Sequence, residues 1–280
     1  MLRLDAMRRV ARLAMLLILV SPVACAGEPG SEPAARDYRV VTLADGLKHP
    51  WSIAILPDGG FLISERPGRL RIFREGALQE AAVPGLPEIA ATGQGGLLDV
   101  VPHPRFVENG WLYFSYAAEA GRGVTTHLAR ARFEQDALKD VEVLFVAEPA
   151  SRGGRHFGSR IVFDDEGFLY LSVGDRGDRP RAQHLDDHAG SIVRLHDDGR
   201  IPDDNPFVGN PDARPEIYAY GVRNPQGMAL HPRTGALWEH EHGPRGGDEI
   251  NVIEAGRNYG WPVISHGIDY SGAAIGDGIR

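Results

Sequence analysis

A short hairpin pattern that recurs four times is the feature that most constrains how this chain can fold. In each copy an apolar strand ends at Pro or Asp, a glycine-containing turn follows, and a second strand is rich in aromatic and aliphatic residues. The first large apolar residue after the turn is Phe61, Trp111, Phe168 or Leu237. A period of roughly 40–50 residues plus loop insertions is typical of β-propeller blades. A β-sandwich of similar hairpins is the alternative, and the shared turn chemistry favours the propeller.

Polar loops precede three successive copies of this hairpin. The first carries Gln94 between glycines, the second carries His156 among arginines and glycines, and the third carries Arg223 and Asn224. The corresponding strand ends of a propeller converge around its central channel, so we expect these side chains to form one ligand site. Gln94 in a flexible turn and His156 as a structural histidine are the alternatives. An imidazole here could act as a base near neutral pH.

Acidic groups elsewhere in the chain are weaker signals. Runs at 175–178, 186–187 and 203–205 lack the order of an EF-hand loop, and we predict that they are solvated turns. The segment Glu239–His242 resembles a transition-metal cluster. Alternate residues of a strand face opposite sides, so only like pairs could share a metal, which disfavours such a site.

The N-terminus has the pattern of an export signal. Basic residues up to Arg12 precede the apolar run Leu13–Val20, which is shorter than the roughly 20 residues that span a bilayer. We therefore predict a signal peptide over 1–26, a polar tether over 27–37 and one domain over 38–280. Cys25, the only cysteine, is either the lipidated residue of a lipoprotein or part of a signal cleaved after Ala26. Both alternatives predict a periplasmic or secreted domain.

Charge excludes some classes of partner. The chain has a net charge of -8, and the predicted signal is basic, so the domain itself is more acidic still. Such a surface repels nucleic acid and anionic lipid. Any membrane association would therefore depend on a lipid anchor at Cys25.

Six segments together resemble the soluble aldose sugar dehydrogenases that use pyrroloquinoline quinone (PQQ), in the glucose/sorbosone dehydrogenase family. The resemblance runs from about Val41 to the end of the chain. The segments occur in the family's order and are Thr92–Leu98, Arg155–Arg160, Ile201–Phe207, Tyr220–Gly227, Glu241–Asn251 and Asn258–Pro262.

The resemblance implies an all-β, six-bladed β-propeller of four-stranded antiparallel blades, with the quinone lying flat over the channel. The residues themselves show four hairpins, and the stretch before Arg280 has the composition of a loop. We therefore expect the ring to be truncated at the C-terminus. Roughly two more blades, about 80–100 residues, would then be needed for solubility and activity.

The resemblance also implies a reaction: oxidation of an aldose at C1 to a lactone, with electrons passed to an external acceptor. His156 would be the general base that takes the proton of the anomeric hydroxyl as hydride moves from C1 to quinone C5. Arg223 would stabilise charge on the quinone oxygen. Gln94, Arg155, His156, Arg223 and Asn224 would contact the cofactor.

Calcium is the second implied cofactor. The backbone carbonyls of Gly243 and Pro244 would bind a Ca²⁺ ion that polarises the quinone, as suits a hard cation. Glu249 and Tyr259 match ligands of a second, structural calcium in some relatives. Arg155 stands where glucose-specific relatives have an acidic residue, so the identity of the sugar stays open.

The expected assembly is a monomer or a homodimer.

Two other propeller functions remain as alternatives, a calcium-dependent lactonase and a non-catalytic ligand-binding propeller. A lactonase would hold its metal with side-chain carboxylates and an asparagine in the channel. The Gly243-Pro244 turn and the basic residues around His156 favour a bulky anionic cofactor instead.

Overall fold

The computed structural model describes residues 38–277, so the predicted signal peptide, Cys25 and the tether lie outside the described residues. The chain divides into two compact units, Met1–Val41 and Thr42–Arg280. The described residues of the first unit, 38–41, contain no helix or strand. Between residues 38 and 277, no helix is long and apolar enough to cross a membrane.

The second unit consists of four antiparallel sheets, each built from consecutive strands. The first sheet contains β1 (Pro50–Ile55), β2 (Phe61–Glu65), β3 (Arg69–Arg74) and β4 (Ala77–Leu78). The second contains β5 (Leu97–Pro102), β6 (Trp111–Ala120), β7 (Gly123–Glu134) and β8 (Ala137–Val146). The third contains β9 (Ile161–Phe163), β10 (Leu169–Val173), β11 (Ser191–Leu195) and β12 (Ile217–Tyr220). The fourth contains β13 (Pro225–Leu230), β14 (Leu237–Glu241) and β15 (Glu249–Val252). Helical structure in this part of the chain comprises the short α1 (Phe106–Asn109) and a 3-10 helix (Arg179–Gln183).

The four predicted hairpins are confirmed as the first two strands of each sheet. Each pair is antiparallel, and the large apolar residue after the turn starts or adjoins the second strand. Buried and exposed residues also alternate along β14, where Leu237, Glu239 and Glu241 are buried while Trp238 and His240 are exposed. The repeat therefore predicted the strands because each copy carries both an apolar pattern and its own turn.

The sheets are arranged as blades of a propeller. The first strands of successive sheets contact one another, β1 with β5, β5 with β9 and β9 with β13. Apolar residues fill the spaces between adjacent sheets, with one cluster between the first and second, one between the second and third, and one between the third and fourth. Buried faces of this kind are what the two-residue periodicity of the strands predicts.

The expectation of six blades is wrong for this structure, which has four. Six came from the resemblance alone, whereas the residues themselves supply four hairpins. Each hairpin supplies the first two strands of one sheet, and the described residues belong to these four sheets and their loops. The fourth blade also departs from the expected four strands, because three strands form it within residues 38–277.

A buried polar network joins the innermost strands of all four blades. Asp99 on β5 accepts hydrogen bonds from Ser52 on β1 (2.6 Å) and from Arg160 (2.9 Å), which lies just before β9. The Nε of Arg160 donates to the carbonyl of Gln226 on β13 at 2.9 Å. Burial raises the pKa of Asp99, although Arg160 opposes that shift. Asp99 is buried whereas Arg160 is half-buried, so removing Arg160 would leave a buried charge without its partner. The network ties the innermost strands of the four blades to one another.

The prediction of solvated acidic turns is wrong at three positions. Asp175, Asp187 and Asn205 are buried, although the acidic residues next to them are exposed. Arg181 makes a two-point contact with Asp187, at 2.7 and 2.9 Å. Asn205 donates to the backbone carbonyl of Arg194 at 3.0 Å. These side chains hold loops closed, a role that an acidic run does not reveal because its members can face opposite directions.

Candidate active site

The polar loops before the inner strands meet at one end of the blades, as predicted. The backbone N–H of His156 donates to Oε1 of Gln94 at 2.7 Å. The backbone N–H of Asp175 donates to the carbonyl of Arg223 at 2.8 Å, and Oδ1 of Asn224 accepts the N–H of Gly158 at 3.2 Å. Loops from the second, third and fourth blades are thus tied directly to one another.

These loops contain a glycine that lets two backbone segments approach closely and a histidine in a strained backbone conformation. Gly93 has φ +61°, and a Cβ added there would lie 2.3 Å from the carbonyl oxygen of Gly154. His156 itself adopts φ +51°, a left-handed conformation that costs a non-glycine residue about 1–2 kcal/mol. Strained residues of this kind concentrate at functional sites, where the surrounding bonds hold them in place.

A buried carboxylate orients the imidazole of His156. Nδ1 of His156 lies 2.6 Å from Oδ1 of Asp175, whose side chain is completely buried. The same carboxylate accepts the N–H of Gly177 on Oδ1 at 2.7 Å and Nε1–H of Trp261 on Oδ2 at 2.8 Å. Gly177 and Trp261 can only donate at these atoms, so Asp175 is an acceptor in every contact.

This arrangement fixes the tautomer of His156. An accepting carboxylate requires Nδ1 to carry the proton, which leaves the lone pair on Nε2. Nε2 makes no hydrogen bond to another residue within 38–277, and the imidazole lines two adjoining pockets. His156 is therefore placed to accept a proton from a bound ligand.

Arg223 is the buried cation of the site. Its Nη1 donates to the carbonyls of His242 and Gly243, at 2.7 and 2.8 Å. Its backbone N–H donates to Glu241, and burial together with the neighbouring Glu239 raises the pKa of that carboxyl well above its ordinary value. The guanidinium thereby holds the turn that begins at Gly243 against the loop that carries Arg223 and Asn224.

The first compartment of the site lies beside the Gly243-Pro244 turn. It encloses about 340 Å³. Its lining residues are Gln94, His156, Arg223, Asn224, Gln226, His242, Gly243, Pro244, Asp248 and Tyr270.

Oxygen atoms suited to a hard cation occur along this lining. Gly243 and Pro244 are buried residues of the turn, and the carboxylate of Asp248 accepts the N–H of Gly243 at 2.8 Å. The Gly243 carbonyl already accepts a hydrogen bond from Arg223, but a carbonyl oxygen has a second lone pair. Carbonyl and carboxylate oxygens are what Ca²⁺ prefers, so the donor set fits this ion.

The second compartment adjoins the first, also borders His156 and encloses about 520 Å³. It shares Gln94, His156, Arg223 and Tyr270 with the first compartment. The residues that belong to it alone are Arg155, Asp175, Gly177, Arg179 and Trp261. Both volumes lie in the range usual for small-molecule sites. Arg155, which was expected among the cofactor contacts, lines this second compartment and not the first.

Glu249 and Tyr259, the expected ligands of a second calcium, lie in the fourth blade. Glu249 is paired across the strands with Glu241, and burial raises its pKa. The hydroxyl of Tyr259 donates to the carbonyl of Val252 at 2.5 Å and accepts the N–H of Glu254 at 2.8 Å, so it already has partners as a donor and as an acceptor. Their metal-binding role stays a prediction.

Sequence reasoning missed the two residues that orient His156. Asp175 was interpreted as part of a solvated turn, and Trp261 was noted only within a motif. One signal could have indicated Asp175, because it stands two residues after the fully buried strand β10, at the same blade end as the predicted site. Trp261 is 86 positions away from Asp175, and no local pattern reports such a contact.

Comparison with known proteins places the chain in a family. The family model described as Glucose / Sorbosone dehydrogenase matches residues 47–280, and the chain belongs to this family. It is 47% identical over 246 residues to the aldose sugar dehydrogenase YliI of Escherichia coli (strain K12), covering 86% of this chain and 66% of YliI. The chain spans 61% and 66% of the length of the first two curated relatives that it matches.

Solved structures agree with this assignment. The apo form of the soluble aldose sugar dehydrogenase of Escherichia coli superimposes with a TM-score of 0.83 at 45% identity, over 85% of this chain and 70% of that one. The PQQ-bound aldose sugar dehydrogenase of Streptomyces coelicolor gives a TM-score of 0.71 at 28% identity, over 84% and 68% of the two chains.

Proposed function

We propose that this protein is a quinoprotein dehydrogenase that uses PQQ and Ca²⁺ to oxidise aldoses at C1 to lactones and passes the electrons to an external acceptor. The observation that carries the proposal is the His156–Asp175 pair, which directs a free Nε2 into a pocket beside the Gly243-Pro244 turn. Family membership and the PQQ-bound relative support the choice of cofactor.

The cofactor would lie in the first compartment. Gln94, His156, Arg223 and Asn224 line it and would contact the quinone, while Gly243 and Pro244 would hold Ca²⁺ through their carbonyls. When bound, PQQ supplies a two-electron hydride acceptor. Arg223 offers a buried positive charge to an anionic ligand, and this is the group that would stabilise negative charge on a reacting oxygen.

Side chains of this protein would carry out the proton transfer from the sugar. Nε2 of His156 would accept the proton of the anomeric hydroxyl as the C1–H hydride leaves, so that C1 becomes the carbonyl carbon of a lactone. Asp175 would hold the imidazole in the required tautomer and stabilise the cation that forms. Trp261 and Gly177 would keep Asp175 in place through their hydrogen bonds.

The direct test is reconstitution of the purified protein with PQQ and Ca²⁺, followed by reduction of an artificial electron acceptor in the presence of simple aldoses. The resemblance implied that about two further blades are needed for activity, whereas the four blades present already bring the residues of the proposed site together. We therefore expect lactone formation that stops on chelation and returns when Ca²⁺ and PQQ are added together. Since carbonyl ligands carry no proton, we expect calcium binding at Gly243 and Pro244 to vary little with pH. Lactone hydrolysis without any acceptor would instead identify a lactonase, and full activity without Ca²⁺ would contradict the metal's role.

We further propose that the domain works outside the cytoplasm. The support is the sequence of residues 1–26, with basic residues before a short apolar run. If Cys25 is lipidated, Cys25→Ser should release the protein from membranes. Equal solubility of both forms would show simple secretion.

A further inference from the structure

The second compartment is basic although the protein as a whole is acidic. The chain carries a net charge of -8, yet three arginines line this compartment and Asp175 is its one lining carboxylate. That carboxylate is buried and accepts three hydrogen bonds, so its charge is directed away from the opening. A basic cleft in an acidic surface attracts anions selectively.

Two of the three arginines are already engaged. Arg179 forms an ion pair with Asp269, and Arg223 donates to two backbone carbonyls. The guanidinium of Arg155 is exposed and makes no hydrogen bond or ion pair with any residue that the structure describes. Arg155 is therefore the cation of this compartment that remains available to a ligand.

The backbone around Arg155 holds it at this position. Its carbonyl accepts a hydrogen bond from the buried Arg176, which also donates to the carbonyl of Gly153 at 2.8 Å. A Cβ on Gly177 would lie 3.6 Å from Cβ of Arg155, so the first part of the side chain packs against this turn. The next residue in the chain is His156, and both side chains line the same compartment.

We propose that the second compartment is the sugar site and that it selects aldoses carrying an anionic group, a carboxylate or a phosphate, which Arg155 binds while C1 faces His156. The proposal rests on the proposed function and adds its substrate class. Guanidinium groups match both anions through paired N–H donors, so the class includes hexuronic acids and sugar phosphates. The first compartment, where Gly243 and Pro244 lie, does not include Arg155.

The kinetic test compares glucose, glucuronate and glucose 6-phosphate in the protein loaded with PQQ and Ca²⁺. We expect kcat/KM to be about threefold to tenfold higher for at least one anionic sugar, mainly through KM, as suits one partly exposed charge pair. Arg155→Gln should remove that preference, and raising the salt concentration should weaken it. Arg233→Gln, an exposed arginine on the β13–β14 turn, should keep it. Equal kcat/KM for charged and neutral sugars in the unmodified protein would overturn the proposal.

A binding test does not depend on turnover. Titration calorimetry with methyl β-D-glucuronide and methyl β-D-glucoside, whose anomeric oxygens are blocked, should show tighter binding of the uronide in the unmodified protein and no difference in Arg155→Gln. If the loaded protein oxidises no aldose, the proposed function fails, and this titration still decides the role of Arg155. A PQQ affinity that falls about tenfold in Arg155→Gln would show that Arg155 serves the cofactor, which would overturn the inference.

Discussion

His156 and Asp175 stand 2.6 Å apart, and the carboxylate between the imidazole and the protein interior is completely buried. Three donors converge on this carboxylate, from the His156 ring, the Gly177 backbone and the Trp261 indole. Because both oxygens of the carboxylate already accept hydrogen bonds, its orientation is fixed. The geometry therefore determines which nitrogen of His156 faces the ligand.

Asp175→Asn tests whether this orientation matters for turnover. An amide has one accepting oxygen and no charge, so its NH₂ group would face at least one of the present donors and the imidazolium formed on proton transfer would lose its counter-charge. We expect kcat to fall by about two to four powers of ten, as for loss of a general base. His156→Ala should fall by a similar factor, with PQQ still bound, and the double variant should be no worse than His156→Ala because both residues act through one group.

Asp178→Asn provides the matched control, since Asp178 is exposed three residues further along the same turn. It should keep near-normal kcat in the same assay. Near-normal turnover in Asp175→Asn, with the melting temperature preserved, would remove the carboxylate from the mechanism.

Trp261→Phe removes the indole donor and keeps an aromatic ring. Oδ2 of Asp175 would lose its partner in a buried position, which costs about 1–3 kcal/mol of unfolding free energy. The carboxylate would be held less firmly, so the imidazole of His156 would be less well oriented and we expect kcat to fall about tenfold. Trp238→Phe, at a ring that is 40% exposed, should change neither quantity. A lower stability with an unchanged kcat would assign Trp261 a structural role alone.

Much of the architecture follows from local sequence. The hairpins around Phe61, Trp111, Phe168 and Leu237 could be predicted because each contains its own apolar pattern and turn. The convergence of the polar loops could be predicted as well, because repeated strands place equivalent ends at one end of the fold. Blade number differed from what the resemblance implied, because six came from the family whereas the residues described here form four sheets.

Contacts between residues far apart in the sequence could not be predicted. Asp175 is buried with Oδ2 bonded to Trp261, a residue 86 positions away in the segment that follows β15. Likewise, the placement of Arg155 and of the Gly243-Pro244 turn in adjoining pockets that share His156 depends on side chains from several loops. Contacts of this kind can be identified only in the folded structure.

Gly93→Ala tests the close contact between the loops of the second and third blades. The added methyl group would meet the carbonyl of Gly154 at 2.3 Å, so the loops would have to separate and the bond from His156 to Gln94 would weaken. We expect a loss of about 2–5 kcal/mol in unfolding free energy, combining overpacking with the left-handed backbone, and a clear fall in kcat. Gly121→Ala has a matching φ of +58° and open space around it, so it should cost only about 1–2 kcal/mol and leave kcat unchanged. Equal effects of the two substitutions in denaturant unfolding would contradict the contact.

The stability of the fold should fall in mild acid, in part because of His103 at the opposite end of the blades. Its Nδ1 accepts hydrogen bonds from the backbone N–H of Arg105 (2.9 Å) and from Asn109 (2.8 Å), and burial lowers the pKa of its imidazole. The unfolded chain, where histidine titrates near about 6.5, then binds more protons than the folded protein below that pH. The contribution of neutral His103 is therefore full above about pH 6.5 and is lost as the pH falls towards its lower folded-state pKa. Urea unfolding between pH 7.5 and pH 5 should show a smaller decline in His103→Asn than in the unmodified protein, whereas His184→Asn, at an exposed position, should follow the unmodified protein. An identical decline in His103→Asn would show that other groups cause the acid sensitivity.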